Sequence, residues 1–277
     1  MRMTAEEAVR WYRAQPGNDE AVRANYFDLP VLPAARRYAA GEEFAEVQRL
    51  LGPAAGRAAL DLGAGNGIAS FALAEAGWRV TALEPDPSTE IGAGAIREIQ
   101  RETGLPIAIE ERIGERLPFA DETFHAVFAR QVLHHVPDLP AAMRELFRVL
   151  APGGKMLALR EHVAENEAEL EAFLRNHPLH HLYGQEHAFP LERGYLAAAR
   201  AAGFVVRHVW GPVESILNFA PGSEAERQRF VRWLARRRFL RLGNALMWWP
   251  GFIEANLRAY TAADRTPGRI FSFLLEK

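Results

Sequence analysis

No cysteine occurs among the 277 residues. That absence removes disulfides, thiolate metal sites and cysteine nucleophiles from consideration. Long apolar runs are missing too. None approaches the roughly 18 residues a spanning helix needs. The opening MRMTAEEAVRWYRAQPGNDE is charged and amphipathic, without the apolar stretch of a secretory leader. Cytoplasmic residence is the expectation. Excess charge is scarce: 33 basic and 35 acidic side chains leave a formal charge of −2. Duplex nucleic acid, which requires a basic surface, is therefore not expected as a partner. Apolar residues are plentiful, at 49%, which marks a globular chain with a substantial core. The length suits one α/β domain enlarged by insertions.

The first 50 residues have apolar side chains at helical spacing, in EEAVRWYRA and AARRYAAGEEFAEVQRLL, with Pro30 and Pro33 breaking the path between them. From Arg57 the pattern alternates. AALDL is a buried strand, GIASFALAEAG a helix closed by Gly77, and WRVTALE a second strand. PSTEIGAGAIREIQRETG is predicted as a helix capped by Ser88 or Thr89. LPIAIEE and TFHAVFA are further strands. LPAAMRELFRVLAPGG is a helix stopped by Pro-Gly-Gly, and KMLALRE is a fifth strand. Such alternation predicts a parallel sheet covered by helices. The rhythm lapses after Glu161, returns with PLERGYLAAARAAG and FVVRHVW, and lapses again until the final strand GRIFSFLLEK. Two insertions are thus expected, at about 162–189 and 212–267. In an open α/β sheet such insertions lie over the carboxyl ends of the strands, where ligands bind.

Glycines stand at every second position in LDLGAGNG, residues 60–67. Glycine is entropically costly in regular structure, so the cluster needs a geometric reason: a tight strand-to-helix turn, or close approach of a ligand to the backbone. The dinucleotide fingerprint Gly-x-Gly-x-x-Gly is satisfied by Gly63 and Gly65 but then requires a glycine where Ile68 stands. NAD and FAD are therefore disfavoured.

LDLGAGNG resembles the first motif of the class I S-adenosylmethionine-dependent methyltransferases. Glu84 stands where that family ends its second strand in an acidic residue. RLPFADETFHAVFARQVLHHVPD resembles the family's fourth-strand region, and ELFRVLAPGGKMLAL the helix and strand that follow. The resemblance covers about residues 57–160. It implies a Rossmann-like sheet, mostly parallel with a C-terminal antiparallel strand and helices on both faces. Residues 1–50 are expected to form a helical lid segment. Residues 51–277 are expected to form the methyltransferase domain, with the two insertions as a substrate cap.

The implied cofactor is S-adenosylmethionine, leaving as S-adenosylhomocysteine. Carried over position by position, the turn residues Asp61, Gly63, Ala64, Gly65, Asn66 and Gly67 would hold its methionine end. Asp61 would accept from the ligand ammonium; the alternative is that it caps the next helix. Glu84, followed by Pro85, would take both ribose hydroxyls, as acidic residues do in dinucleotide sites. The adenine falls to Gly114, Glu115 and Arg116, because Ile113 stands where relatives often have an acidic residue. Ala129, Arg130 and His135 would complete the cofactor site from the fourth strand; Arg130 and Gln131 have the competing reading of solvated loop residues.

Methyl transfer from a sulfonium is an in-line displacement, so a general base is needed only for a poorly acidic acceptor. Candidate bases after the fourth and fifth strands are His134, His135, Glu161 and His162. LHHV recurs in the family it resembles, which gives His134 and His135 the competing reading of a structural or cofactor-adjacent role. Tyr183 and His187 in the first insertion are also within reach. ARQV after the fourth strand is not the Asn/Asp-Pro-Pro-Tyr/Phe signature of amine and amide methylation. That favours O- or C-methylation of a small organic acceptor. No Asp…Asp-Asn set offers the oxygens a hard divalent cation wants, so no metal is expected.

The second insertion opens with a capping box, Ser223 to Glu226. It carries arginines at 227, 229, 232, 236, 237, 238 and 241, followed by ALMWWPGFI. A cap with its own aromatic core and solvated arginines is the favoured reading. An anionic substrate or a membrane surface contacted through 223–253 is the competitor. Two functional alternatives follow: a membrane-surface methyltransferase acting on a lipid or isoprenoid, and a non-catalytic protein that binds S-adenosylmethionine.

Overall fold

The computed structural model describes residues 3–112, 116–183, 187–239 and 249–277. Four helices come first: α1 (Ala5–Arg13), α2 (Asp19–Ala24), α3 (Val31–Ala39) and α4 (Glu42–Leu51). The single helix expected over 34–51 is thus two. Gly41 interrupts it with extended backbone, φ −82° and ψ 157°, and a Cβ there would come within 3.1 Å of the Tyr38 carbonyl oxygen. Pro33 does not break α3, because it lies in the first turn, where no amide donor is required.

The expected alternation follows: β1 (Ala58–Leu62), α5 (Ile68–Glu75), β2 (Arg79–Leu83), α6 (Ala93–Thr103), β3 (Ile107–Glu110), β4 (Phe124–Arg130), α7 (Leu139–Val149) and β5 (Leu150–Val163). Two boundaries differ from expectation. Helix α6 begins beyond Gly92, not at Ser88 or Thr89, because the Asp86–Ser88 segment folds back first. Ser88 donates its amide to Asp86 Oδ1, Ala93 donates to the Asp86 carbonyl, and Gly94 to the Ser88 carbonyl. Helix α7 ends at Val149, ahead of Pro-Gly-Gly. Those residues fall within β5, where the register against β4 jumps from Phe124–Leu150 to Ala126–Lys155.

The remaining elements are α8 (Glu167–Asn176), α9 (His180–Tyr183), a π-helical turn (Leu191–Leu196) running into α10 (Ala197–Ala202), β6 (Val205–Trp210), α11 (Ile216–Phe219), α12 (Glu224–Phe239), α13 (Pro250–Ala263) and β7 (Arg269–Glu276). The capping box at the start of α12 is formed. Glu226 receives the Ser223 amide at 2.8 Å, and Ser223 Oγ receives the Glu226 amide at 3.2 Å.

The sheet order is β3-β2-β1-β4-β5-β7-β6. The first five strands are parallel, and β7 runs antiparallel to both β5 and β6. Strand order reverses between β1 and β4, which is the ligand crevice of such sheets. One face packs α3, α4, α5 and α6 around Tyr38, Phe44, Phe71 and Ile96. The other packs α7 and α10 around Met143, Leu146 and Tyr195. Alternation along β4 explains the division: Ala126 and Phe128 face the first core, Val127 and Ala129 the second. Helices α1 and α2 belong to neither. They share a small core with Leu179, and Met3 donates its amide to the Leu182 carbonyl. A further group joins Val213, Val231 and Leu257 from α12, α13 and the loop before them. Both insertions leave from strand carboxyl ends, after β5 and after β6. Among the described residues, no helix is long and apolar enough to cross a membrane.

Candidate functional site

The turn after β1 explains its three glycines individually. Gly63, Gly65 and Gly67 all have positive φ, at 59°, 55° and 83°. A Cβ on Gly63 would lie 2.7 Å from Val132, and one on Gly67 would lie 2.8 Å from Ile96 of α6. Those two positions close the turn against its neighbours. Gly65 is different. Its Cβ would meet only the Ile91 carbonyl oxygen, at 3.7 Å, so its surroundings are comparatively open. The two reasons for the cluster therefore divide by position: packing at 63 and 67, open backbone at 65.

Glu84 and the turn are joined directly. Glu84 Oε2 accepts from the Gly65 amide at 2.7 Å and Oε1 from the Asp86 amide at 2.9 Å. The side chain is buried, and burial pushes its carboxyl above the usual range against the pull of those two amides. Asn66 donates to the Tyr26 carbonyl at 2.7 Å, tying the turn to the segment before α3. Ala64 is buried, Pro85 exposed and Arg116 exposed. Gly114 and Glu115, expected at the adenine, lie outside the described residues.

Asp61 is buried in β1, where Ser70 Oγ of α5 donates to its Oδ2 at 2.6 Å. It therefore ties strand to helix by a side-chain bond without being the cap, which is Gly67. Burial pushes its carboxyl up to about 7 from 3.8, opposed by the Ser70 bond and reinforced by Glu84. The folded state thus holds an extra proton between those two values. Stability from this group is greatest below the lower value and falls as pH rises through the window. Asp61→Asn cannot ionise. Its stability relative to wild type is expected to increase from about pH 4 to about pH 7 and then level off, read as the difference in unfolding midpoint at each pH.

At the end of β4, Arg130 is committed to α4. Its Nε and Nη2 reach the two oxygens of Glu43 at 2.7 and 3.2 Å, and Nη1 donates to Gln131 Oε1. Burial would lower the guanidinium, but the Glu43 carboxylate more than reverses it. Neither Arg130 nor Gln131 is a freely solvated loop residue. On the neighbouring strand, Arg160 sits in the β5 bulge at φ 59°. It donates to the Ala220 carbonyl at 2.6 Å, while its buried Nε has no hydrogen-bond partner among the described residues. Burial, then the charge of Arg130, lowers it to about 10. The buried Tyr38 hydroxyl nearby likewise has no described partner. Neither Glu43, Tyr38 nor Arg160 was expected from the sequence, since each acts through neighbours far along the chain.

The histidines converge. His134 and Glu161 are both buried, and His134 Nδ1 lies 2.7 Å from Glu161 Oε2. Glu161 also accepts the amides of Val132 and His134, each at 3.1 Å, so it pins the turn after β4. His162 Nδ1 lies 2.7 Å from the Gly268 carbonyl oxygen. His135 is exposed, with its ring centroid 4.4 Å from that of His134. His177 and His180, from α8–α9, complete the group with their rings stacked at 3.8 Å. Tyr183 packs against His180, and His187 stacks on Phe189.

In the second insertion, Phe219, Phe230 and Tyr260 pack on the small core of α12 and α13. Arg227 is bound to Glu224 and to the carbonyls of Val213 and Glu214. Arg229, Arg232 and Arg237 are exposed. Arg241 and most of ALMWW lie outside the described residues, as does the Arg238 side chain.

Residues 60–158 match the family model described as a methyltransferase domain. The chain is 36% identical over 106 residues to a ubiquinone biosynthesis O-methyltransferase of Methylobacterium sp. (strain 4-46), covering 38% of this chain and 41% of that relative. It is 35% identical over 105 residues to a ubiquinone/menaquinone biosynthesis C-methyltransferase of Nitrobacter hamburgensis, covering 37% and 41%. The matches thus span about two fifths of these curated relatives. Among solved structures, an S-adenosylmethionine dependent methyltransferase from Mesorhizobium loti superposes with a TM-score of 0.56 at 16% identity, covering 87% of this chain and 100% of that one. At that identity the likeness concerns the fold.

Proposed function

We propose, from the premise that this chain carries a methyltransferase domain of the class I Rossmann-like family over residues 60–158, that it transfers the methyl group of S-adenosylmethionine to an oxygen or carbon of a small organic acceptor. The observation carrying this reading is the bond from the Gly65 amide to Glu84, which couples an open turn to a buried carboxylate at the sheet's switch point. Each Glu84 oxygen holds one amide and keeps a further lone pair for a ribose hydroxyl. The methionine ammonium falls to Asp61, 23 positions earlier in the chain and held in orientation by Ser70. The chemistry itself asks mainly for alignment and exclusion of water. Residues 1–50 serve as a lid and the two insertions as the cap. The acceptor lies beside Arg160 and Tyr38, whose unpartnered buried donors suit an acceptor carrying an acidic oxygen. A base, where the acceptor needs one, is His135, exposed at the end of the turn after β4.

Thermal unfolding is the first test. S-adenosylmethionine and S-adenosylhomocysteine are expected to raise the midpoint and NAD to leave it unchanged; a shift with NAD alone overturns the reading. Asp61 provides a second readout. A ligand ammonium beside it favours its ionised form, so binding near pH 7 displaces part of a proton. Calorimetry in two buffers of different ionisation enthalpy is expected to show proton release in wild type and none in Asp61→Asn.

A membrane-surface reading is favoured by one observation. Trp233 and Trp249 are 48% and 69% exposed, and Trp233 lies under Arg237 amid exposed Arg229 and Arg232. Such a surface is expected to bind anionic vesicles with a salt-sensitive affinity and to ignore neutral ones. Co-sedimentation with each vesicle type decides the matter, and Arg232→Glu should abolish the difference.

A further inference from the structure

We infer that His134, His162 and His180 form a binding site for a divalent first-row transition cation of the zinc type. One nitrogen from each lies within 4.8 Å of the others. All three side chains are buried, His180 to 5% exposure. They come from three separate places: the turn after β4, the end of β5 and α9 in the first insertion. No local sequence spacing brings them together, so the fold itself assembles the group.

Hydrogen bonds from outside the group set the tautomers of two of the rings. His134 Nδ1 is held by the Glu161 carboxylate, and His162 Nδ1 by the Gly268 carbonyl. A carbonyl oxygen can only accept, so Nδ1 of His162 carries the hydrogen and Nε2 is its ligand nitrogen. The carboxylate fixes the same tautomer on His134. This is the outer-shell arrangement that orients imidazoles on a metal: carboxylate on one ring, backbone carbonyl on another. His180 supplies an independent sign. Its Nδ1 is buried with no hydrogen-bond partner among the described residues, an arrangement that costs free energy unless something occupies it.

The donor set indicates the cation. Three imidazoles without thiolates suit zinc, cobalt, nickel, copper or iron in the divalent state, whereas magnesium wants oxygens. Coordination also requires neutral rings. Zinc bonds of about 2.0–2.1 Å bring tetrahedral donors to about 3.4 Å apart, so binding draws the three nitrogens inward. With three protein ligands the ion keeps a position for water or an acceptor oxygen. It also clamps α9, on which α1 packs, to the end of β5. The expectation of no metal weighed only hard oxygen ligands; this site uses nitrogen.

The inference stands whether or not the chain transfers methyl groups, and its test measures metal directly. The full chain is stripped with chelator, dialysed and titrated with zinc and, separately, with cobalt. One equivalent is expected to bind, with visible cobalt d–d absorption, a raised unfolding midpoint with zinc, and no effect of magnesium. His162→Gln and His180→Gln should each lose the cobalt spectrum. Zinc-edge X-ray absorption on the wild type reads the ligand shell without relying on either variant's folding. Three imidazoles support the site. An oxygen-dominated shell, no stoichiometric binding, or an unchanged cobalt spectrum in folded His180→Gln overturns it.

Discussion

Glu84→Ala is expected to abolish stabilisation by S-adenosylmethionine and also to lower the unfolding midpoint of the ligand-free protein. The two effects have separate causes. Glu84 is buried and holds the amides of Gly65 and Asp86. Removing its carboxylate leaves both donors without that acceptor, at roughly 1–3 kcal/mol for each that stays dry. The second effect is loss of the ribose contacts. A ligand at 100 times its dissociation constant adds about 2.7 kcal/mol to wild type. The decisive quantity is therefore the ligand-induced shift, measured for each protein against its own ligand-free midpoint. Glu84→Gln refines the test. Its carbonyl still accepts an amide bond, so the turn is better preserved, but its amide cannot accept from the second ribose hydroxyl. An intermediate loss of ligand shift is expected, with a smaller loss of basal stability. A full ligand shift in Glu84→Ala removes Glu84 from the cofactor site.

The same residue shows what the sequence makes legible. LDLGAGNG, Glu84 and the alternating elements are local patterns, and the strands, the parallel core and the turn follow from them because periodicity and positive-φ glycines are local constraints. Helix ends were less legible. Ser88 looks like a cap, but a local loop, in which the Ala93 and Gly94 amides donate back to the Asp86 and Ser88 carbonyls, delays α6. Least legible were the partners of charged groups. Arg130 was expected at the cofactor, and the partner of its guanidinium, Glu43, is 87 positions away. His134 was read as a base candidate, and the buried Glu161 that holds it lies 27 positions on. His180 was not singled out at all, since nothing near α9 in the chain indicates that it meets β5. Pairings of this kind depend on topology, which a single sequence reveals only in outline.

Arg130→Ala is expected to be the most destabilising of these changes. Glu43 is 2% exposed and its two oxygens face the Arg130 guanidinium. Removing the arginine strands a buried carboxylate, which costs about 3–5 kcal/mol where such pairs have been broken. For a chain of this size that corresponds to a midpoint lowered by on the order of 10 °C. The pair is not thereby a strong stabiliser, because desolvating both charges offsets most of their attraction. The double change Glu43→Gln with Arg130→Met should recover much of the loss, and a double-mutant cycle on thermal or urea unfolding measures the coupling. The outcome bears on function as well as stability. Tyr26 and Tyr38 both lie within cation–π range of Arg130, at 5.6 and 5.7 Å, and Tyr26 accepts from Asn66 of the turn. The ion pair therefore fixes α3 and α4 against the crevice. If its role is positional, the folded double variant should still be stabilised by S-adenosylhomocysteine, with a reduced shift. If Arg130 instead touches the cofactor, the double variant should recover stability and yet show no ligand shift at all.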